Sequence, residues 1–510
     1  MKENISIKRN VAASYVGQIY AVVISVIMAP VYLSYMGTEA YGLIGFFTML
    51  TGWFQLLDMG LTSTVVRETA LRRGGEISTG ELRLFVRGLE IVFGIISIAA
   101  ASAIVFLSHE IATHWLKVSS LPIIDVQISV GIMGLLVPLR WVGGLYRGVL
   151  IGFERMTWLA GYNILLATLR FVGVLGVFAL FGANVKYFFG YQFVVSAFDL
   201  LGVFIMSHHL IGHERSARET FTWEPLRKRA AFSLTIAFVQ TAGVLFSQSD
   251  KLVLSKYLPL AMFGIFSLAV AAASVVNIAG SPISQALLPR LTKLFAEKQE
   301  EAAYRLYGVA TQTVTVLICP GVVALAFLAE PILRAWTGHA DIAHHAAPIL
   351  RLYAVGNGAG VLSLFAYYIQ FARGNLRLHF IGNLILVGLL IPGFIWGGTH
   401  YGGIGTGAIA AIVGCSYFFF WVPIVHARFL PGRHWDWLLK DILSIVVPTT
   451  LMCWIVSWII PWPHGRLALI GYVAIAGSLL LMTSVFSSSY MRATLWRLGR
   501  RYHPNFNSQG

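Results

Sequence analysis

The chain has 510 residues, of which 57% are hydrophobic and only 12% charged, and its formal net charge is +15. Its mean hydropathy of +0.74 excludes a soluble domain of ordinary size. The composition is that of a membrane protein, for which the lipid bilayer is the main solvent.

Apolar stretches separated by short polar loops follow one another along almost the whole chain. A helix that crosses the bilayer needs about 20 mostly apolar residues, and it satisfies the backbone hydrogen bonds that lipid cannot. The stretches are continuous and do not alternate as the strands of a membrane barrel do. We therefore predict an all-α polytopic membrane protein with about fourteen transmembrane helices. They cover residues 11–33, 42–66, 88–107, 128–150, 158–181, 187–207, 231–256, 260–288, 308–329, 348–371, 379–396, 403–425, 441–460 and 467–486.

The charges at the start of the chain and in the loops predict its orientation. The first predicted helix follows Lys2, Lys8 and Arg9, but it is too long for the apolar region of a signal peptide and no A-x-A cleavage site follows it. With the amino terminus in the cytoplasm, about 28 of the 37 Lys and Arg residues fall in cytoplasmic segments, as the positive-inside rule requires. The net charge then indicates orientation and contact with anionic membrane lipids, not binding of nucleic acid. Both termini are predicted to be cytoplasmic.

The sequence predicts an internal duplication. Residues 33–43 resemble residues 254–265, and Asn163 has a counterpart in Asn383 at a similar offset. We predict two six-helix lobes, residues 1–207 and 231–425, related by pseudo-two-fold symmetry and joined by a basic cytoplasmic linker, residues 208–230. Parallel repeats of this kind are typical of transporters. Residues 426–510 add two C-terminal helices and a cytoplasmic tail.

Basic residues inside the predicted helices are the main candidates for a functional site, because a charge at the bilayer centre costs about 2.5–3.5 kcal/mol. Arg140 and Arg147 in predicted helix 4 lie on one face, about 10 Å apart along the axis. Arg170 lies near the middle of predicted helix 5, and Lys251 near the outer end of predicted helix 7. Guanidinium groups bind phosphate oxygens in a bidentate manner. We therefore interpret these four residues as candidate binding residues for an anionic substrate.

Three acidic residues, Asp58, Asp199 and Asp250, are candidate charge partners. They leave a structural alternative open for the cations. Arg170 and Asp199 would form a neutral pair that locks two helices together. Arg147 would extend to the headgroups at the inner surface, and Arg140 would serve helix packing.

The sequence indicates no cofactor, metal site or catalytic site. The three cysteines lie inside predicted helices and lack paired spacing. His208, His209 and His213 have the spacing of metal ligands, but they lie in a basic loop without a carboxylate cluster. No nucleotide-binding phosphate loop occurs, and no loop is long enough for a catalytic domain. We therefore predict that the protein is not an enzyme.

Several segments are similar to those of a known family. Residues 57–61, Leu-Asp-Met-Gly-Leu, and 66–68, Val-Arg-Glu, resemble its segment at the end of helix 2. Residues 249–255, Ser-Asp-Lys-Leu-Val-Leu-Ser, and 264–269, Gly-Ile-Phe-Ser-Leu-Ala, resemble its segment around helices 7 and 8. Residues 371–374, Phe-Ala-Arg-Gly, resemble its connection between helices 10 and 11. The chain thus resembles the bacterial polysaccharide (O-antigen type) flippases of the multidrug/oligosaccharidyl-lipid/polysaccharide exporter superfamily.

The resemblance implies a flippase of the bacterial cytoplasmic membrane that works by alternating access. Its substrate would be a polyprenyl-diphosphate-linked oligosaccharide for cell-surface polysaccharide biosynthesis, and a polysaccharide polymerase or other assembly proteins would be its partners. The diphosphate would need cationic side chains, in agreement with Arg140 and Arg170.

Three alternatives remain. A flippase for a peptidoglycan lipid precursor has a similar helix count and an anionic substrate. A multidrug–cation antiporter of the same superfamily would favour embedded carboxylates. A membrane glycosyl polymerase or ligase would present a long outer loop, which this sequence lacks.

Overall fold

A computed structural model of the protein describes residues 7–212, 241 and 243–502. Within these residues, β-pairing is limited to one isolated bridge between Lys117 and Pro259. The prediction of an all-α polytopic membrane protein is confirmed. In chain order the longer helices are α1 (Ile7–Phe54), α2 (Leu61–Gly74), α3 (Thr79–Phe106), α4 (Ile123–Gly152), α5 (Met156–Phe181), α6 (Val185–Ile211), α7 (243–257), α8 (Leu260–Ala296), α9 (Glu300–Phe327), α10 (Ala329–Thr337), α11 (Ala340–Ala372), α12 (Arg377–Phe429), α13 (His434–Ile459), α14 (Arg466–Ser487) and α15 (Ser489–Tyr502).

In the described part of the chain, 11 helices are long and apolar enough to cross a membrane. Two of them, Ala12–Asp58 and Arg377–Phe429, contain 47 and 53 residues, enough for two crossings each at about 20 residues per crossing. A glycine with non-helical backbone, Gly37 or Gly402, divides each of these two helices near a predicted loop. The start of predicted helix 7 and most of the predicted linker lie outside the described residues. The count of fourteen therefore stays a prediction.

The prediction of one continuous helix over residues 42–66 is wrong. Helix α1 ends at Phe54 and is followed by a 3-10 turn, Gln55–Asp58. Met59 and Gly60 then have positive φ angles of 44° and 71°, and α2 begins at Leu61. Glycine adopts this left-handed backbone without a steric penalty. The Asp58 carboxylate accepts hydrogen bonds from the backbone N–H and the hydroxyl of Thr62, so it caps the start of α2.

The chain divides into two compact units, Met1–Gly264 and Ile265–Gly510. This division places α7 with the first unit, whereas the predicted lobe boundary places it with the second. In the first unit, α4 packs against α2, α3 and α6, while α1 packs against α5. Met133, Leu136 and Leu145 of α4 are fully buried. Helix α4, which carries Arg140 and Arg147, is therefore the centre of the first unit.

In the second unit, α9 packs against α11, α13 and α14. The Gln312 side-chain amide of α9 bonds to several other residues of this unit. Its oxygen accepts from the Ser488 hydroxyl at 2.8 Å and from the Tyr490 N–H at 3.1 Å. Its nitrogen donates to Asp441 of α13 at 2.8 Å. The two predicted C-terminal helices, which correspond to α13 and α14, are thus packed against α9 as part of the second unit.

Candidate functional site

A cavity of about 300 Å³ lies within the first unit, between α1, α4, α5 and α6. Its wall combines aromatic rings with polar and cationic side chains. The polar members are Gln18, Tyr32, Thr48, Arg140, Asn163, Arg170 and Gln192. Two of the four predicted binding residues, Arg140 and Arg170, therefore face the same space.

Arg140 is held in this cavity by neutral groups. Its Nε donates to the Ser196 hydroxyl at 2.9 Å, and its Nη2 donates to the Gln192 amide oxygen at 2.9 Å. The guanidinium carbon lies 4.8 Å from the centre of the Phe47 ring, within the range of a cation–π contact. No carboxylate in the described part of the chain pairs with Arg140. Its positive charge is fixed in position but not neutralised.

Arg147 and Arg170 share one carboxylate. Arg147 Nη2 lies 2.7 Å from one oxygen of Asp199, and Arg170 Nη2 lies 2.6 Å from the other. Arg147 also donates from Nη1 to Asn163 at 2.5 Å, and it does not line the cavity. The Arg170–Asp199 pair that the sequence suggested is present, while Arg147 joins it and is not extended towards the headgroups.

A π-helical segment, Leu169–Gly173, positions Arg170. A π-bulge leaves backbone carbonyls without their usual partners within the helix, and side chains from α1 and α6 bind them here. Tyr191 donates to Leu169 at 3.0 Å, Gln192 to Arg170 at 2.8 Å, and Tyr32 to Phe171 at 2.7 Å, each to the backbone oxygen. Gln192 thus contacts both cavity arginines, since its oxygen accepts from Arg140. Gln192 and the bulge were not predicted, and no sequence pattern marks them.

The net charge of this cluster is positive. Arg147 and Arg170 bind one carboxylate, that of Asp199, and Arg140, which bonds Ser196 and Gln192, lines the same cavity as Arg170. Three positive charges and one negative charge leave two positive charges uncompensated. The arrangement can bind an anion that carries about two negative charges, with Arg140 as the guanidinium free of a carboxylate.

A second cavity of about 310 Å³ in the same unit shares Arg140 with the first. The other polar residues of its wall are Thr51, Gln55, Asp58, Thr62, Ser63 and Trp141. Asp58 forms no ion pair within the described residues, and it bonds Thr62 instead. The candidate pairing of Asp58 with Arg140 is therefore absent, although the two residues line one cavity.

The predicted pair Asp250–Lys251 lies elsewhere on α7 and lines neither cavity. Lys251 donates to the Ser247 carbonyl at 2.9 Å and to the Gln248 side chain at 3.1 Å. Asp250 is buried, and its carboxylate accepts from the Lys251 N–H at 2.7 Å. These contacts within one helix favour a structural role for both residues.

The sequence model of the polysaccharide biosynthesis protein family matches residues 7–295, more than half of the chain. The chain belongs to this family. The predicted resemblance to polysaccharide flippases of the multidrug/oligosaccharidyl-lipid/polysaccharide exporter superfamily is thereby confirmed. A second family model, described as lipid II flippase MurJ, matches residues 229–477.

Individual relatives agree with this family. The succinoglycan biosynthesis transport protein ExoT of Rhizobium meliloti (strain 1021) is 25% identical over 306 residues, which cover 60% of this chain and 57% of the relative. The match thus spans less than two thirds of that protein.

Two solved structures share the fold. The lipid II flippase MurJ in an inward closed conformation has a TM-score of 0.70 at 17% identity, covering 95% of this chain and 99% of MurJ. An inward-facing multidrug resistance transporter of the MATE family has a TM-score of 0.61 at 14% identity, covering 81% of this chain and 99% of that transporter.

Proposed function

We propose that the protein is a flippase that moves a polyprenyl-diphosphate-linked oligosaccharide across the bacterial cytoplasmic membrane for cell-surface polysaccharide biosynthesis. The observation that carries the proposal is the cavity in the first unit, whose wall carries Arg140, which pairs with no described carboxylate, and Arg170. A diphosphate that joins a lipid to a sugar carries two negative charges, so it complements this cluster. The name of the succinoglycan transport relative supports a saccharide cargo.

The proposed mechanism is alternating access without nucleotide hydrolysis. Arg140 and Arg170 bind the diphosphate, Gln192 and Asp199 hold these arginines in place, and the polyprenyl tail stays in lipid. Both termini face the cytoplasm, and a polysaccharide polymerase or other assembly proteins receive the product. With an inside-negative potential of about 100 mV, moving two negative charges outward is favourable and releases about 4–5 kcal/mol. That energy is sufficient to bias the direction of transport.

A flippase for a peptidoglycan lipid precursor is the second candidate. The match of residues 229–477 to the family described as lipid II flippase MurJ favours it. Its substrate would place an equivalent diphosphate against the same arginines. The multidrug–cation antiporter is disfavoured, because a cationic drug would be repelled by a cavity whose wall carries two arginines and no carboxylate.

The test is transport by Arg140 variants in cells and in proteoliposomes. Without the protein, lipid-linked glycan should accumulate on the cytoplasmic leaflet while its synthesis continues. Arg140→Ala should abolish transport at unchanged abundance, since the hydrogen-bond partners it leaves behind are neutral. Arg140→Lys should restore only part of the activity, because an ammonium retains the charge but not the bidentate geometry.

Arg428→Ala serves as the matched control, because Arg428 is exposed in the second unit. It should transport at the wild-type rate. Full transport by Arg140→Ala would refute the binding role of Arg140. Loss of the lipid-linked intermediate itself in the deletion strain would indicate an enzyme. Accumulation of a peptidoglycan precursor in place of a polysaccharide intermediate would select the second candidate.

A further inference from the structure

The second cavity has a different chemistry from the first. Besides Arg140, its polar wall includes an amide, a carboxylate and hydroxyl groups, from Gln55, Asp58, Thr62 and Ser63. Together these groups can both donate and accept hydrogen bonds, whereas the wall of the first cavity has two arginines and no carboxylate. Asp58 would repel a phosphate placed beside it. A neutral molecule with several hydroxyl groups fits this wall better than an anion does.

Several of these groups have unused hydrogen-bonding capacity. The Trp141 Nε1 is buried and has no hydrogen-bond partner in the described part of the chain. Gln55 is exposed, and its amide bonds to no described residue, while Asp58 accepts only from Thr62 and nearby backbone. The Asp58 carboxylate has lone pairs beyond these bonds and can accept hydrogen bonds from the hydroxyl groups of a ligand.

The two cavities follow one another along the same helix and meet at Arg140. Helix α1 contributes Phe47 and Thr48 to the first cavity, and the turn after it contributes Gln55 to the second. Seven residues separate Thr48 from Gln55, which corresponds to about 10 Å along a helix. This length is comparable to that of a diphosphate followed by one sugar ring. The volume of about 310 Å³ is at the lower end of the range of ligand pockets.

We infer that the second cavity is a subsite for the first sugar of the lipid-linked saccharide. This inference rests on the proposed function, because Arg140 then holds the phosphate that carries the sugar. Asp58 and Gln55 bind the sugar hydroxyl groups, and the hydroxyls of Thr62 and Ser63 lie in the same wall. The first cavity binds the diphosphate, which is common to all such substrates, and the second cavity contacts the sugar, which differs between them.

The experiment compares two ligands on the purified full-length protein in nanodiscs. One is polyprenyl diphosphate, and the other is the lipid-linked saccharide extracted from cells that lack the protein. Gln55→Ala and Asp58→Asn should weaken binding of the saccharide about tenfold, the effect of losing one or two hydrogen bonds. Gln55→Ala should leave binding of polyprenyl diphosphate unchanged, and Asp58→Asn should not weaken it, because it removes only a negative charge. Arg140→Ala should weaken both ligands.

Gln127→Ala is the matched control, since Gln127 lies at the other end of α4 and contacts His109. It should change neither affinity. Equal losses for both ligands, or no loss for either, in Gln55→Ala and Asp58→Asn would overturn the sugar subsite while leaving the proposed function intact. An Arg140→Ala protein that binds both ligands normally would overturn the proposed function itself. Size-exclusion profiles identify any variant that fails to fold, and Gln55→Ala removes no described contact.

Discussion

Asp199 accepts hydrogen bonds from two arginines at once, and we expect its replacement to destabilise the protein more than the loss of either arginine. Its side chain is only 9% exposed and lies 2.7 Å from Arg147 and 2.6 Å from Arg170. Removing one partner of a buried ion pair costs about 3–5 kcal/mol, because the remaining charge is left uncompensated. Asp199→Asn leaves two uncompensated charges, those of Arg147 and Arg170. Arg147→Met leaves Asp199 paired with Arg170, so its cost is nearer that of one charged hydrogen bond, about 1.5–3 kcal/mol.

The assay is the midpoint temperature of unfolding of the purified protein in one detergent at one heating rate. A difference of about 2 kcal/mol between the two variants corresponds to roughly 4–8 °C, at 2–4 °C per kcal/mol for a domain of this size. Adding Arg147→Met to Asp199→Asn should recover part of the loss, since it removes one unpaired guanidinium. Equal midpoints for Asp199→Asn and Arg147→Met would refute the view that one carboxylate balances two cations.

Two further predictions concern the π-bulge and the orientation in the membrane. A Cβ at Gly173 would lie 2.1 Å from the Tyr191 hydroxyl oxygen and 3.2 Å from the ring carbon that bears it. Gly173→Ala should therefore lower the unfolding midpoint, and adding Tyr191→Phe should relieve part of that effect. No relief would contradict the close contact. In a cysteine-free background, a cysteine at Glu76 should react with an impermeant thiol reagent only after the cells are permeabilised, whereas one at His344, in a predicted outer loop, should react in intact cells. The opposite pattern would reverse the predicted topology.

The sequence predicts the class of fold well because its signals are local. Long apolar runs predict membrane helices regardless of tertiary context, and the predicted loops near Gly37 and Gly402 coincide with breaks in helical backbone. The break at Met59–Gly60 escapes this pattern, because Leu56, Leu57 and Leu61 keep the segment apolar across the break. The Asp58 carboxylate bonds Thr62 across the break, and hydropathy alone cannot distinguish an aspartate in such a local bond from a charge inside a helix.

The candidate site could be predicted only in part. Arg140 and Arg170 are visible in the sequence because charges in membrane helices are rare. The partners that hold them are ordinary polar residues on α6, Gln192 and Ser196, and these become significant only when α6 packs against α4. The same limit applies to Lys251, which is charged and lies in a family-like segment but contacts its own helix. A rare residue type identifies a candidate, while the fold decides which space it faces.

The difference between Arg140 and the other two arginines is one of availability. An incoming phosphate would replace neutral acceptors at Arg140, the Ser196 hydroxyl and the Gln192 amide, with a charged one. A charged acceptor adds an attraction between opposite charges that a neutral acceptor does not supply, so this exchange is favourable and breaks no ion pair. At Arg170 the phosphate would have to share the guanidinium with Asp199, whose oxygen lies 2.6 Å away. Binding should therefore depend first on Arg140, with Arg170 as a second contact and Arg147 as the residue that keeps Asp199 in place.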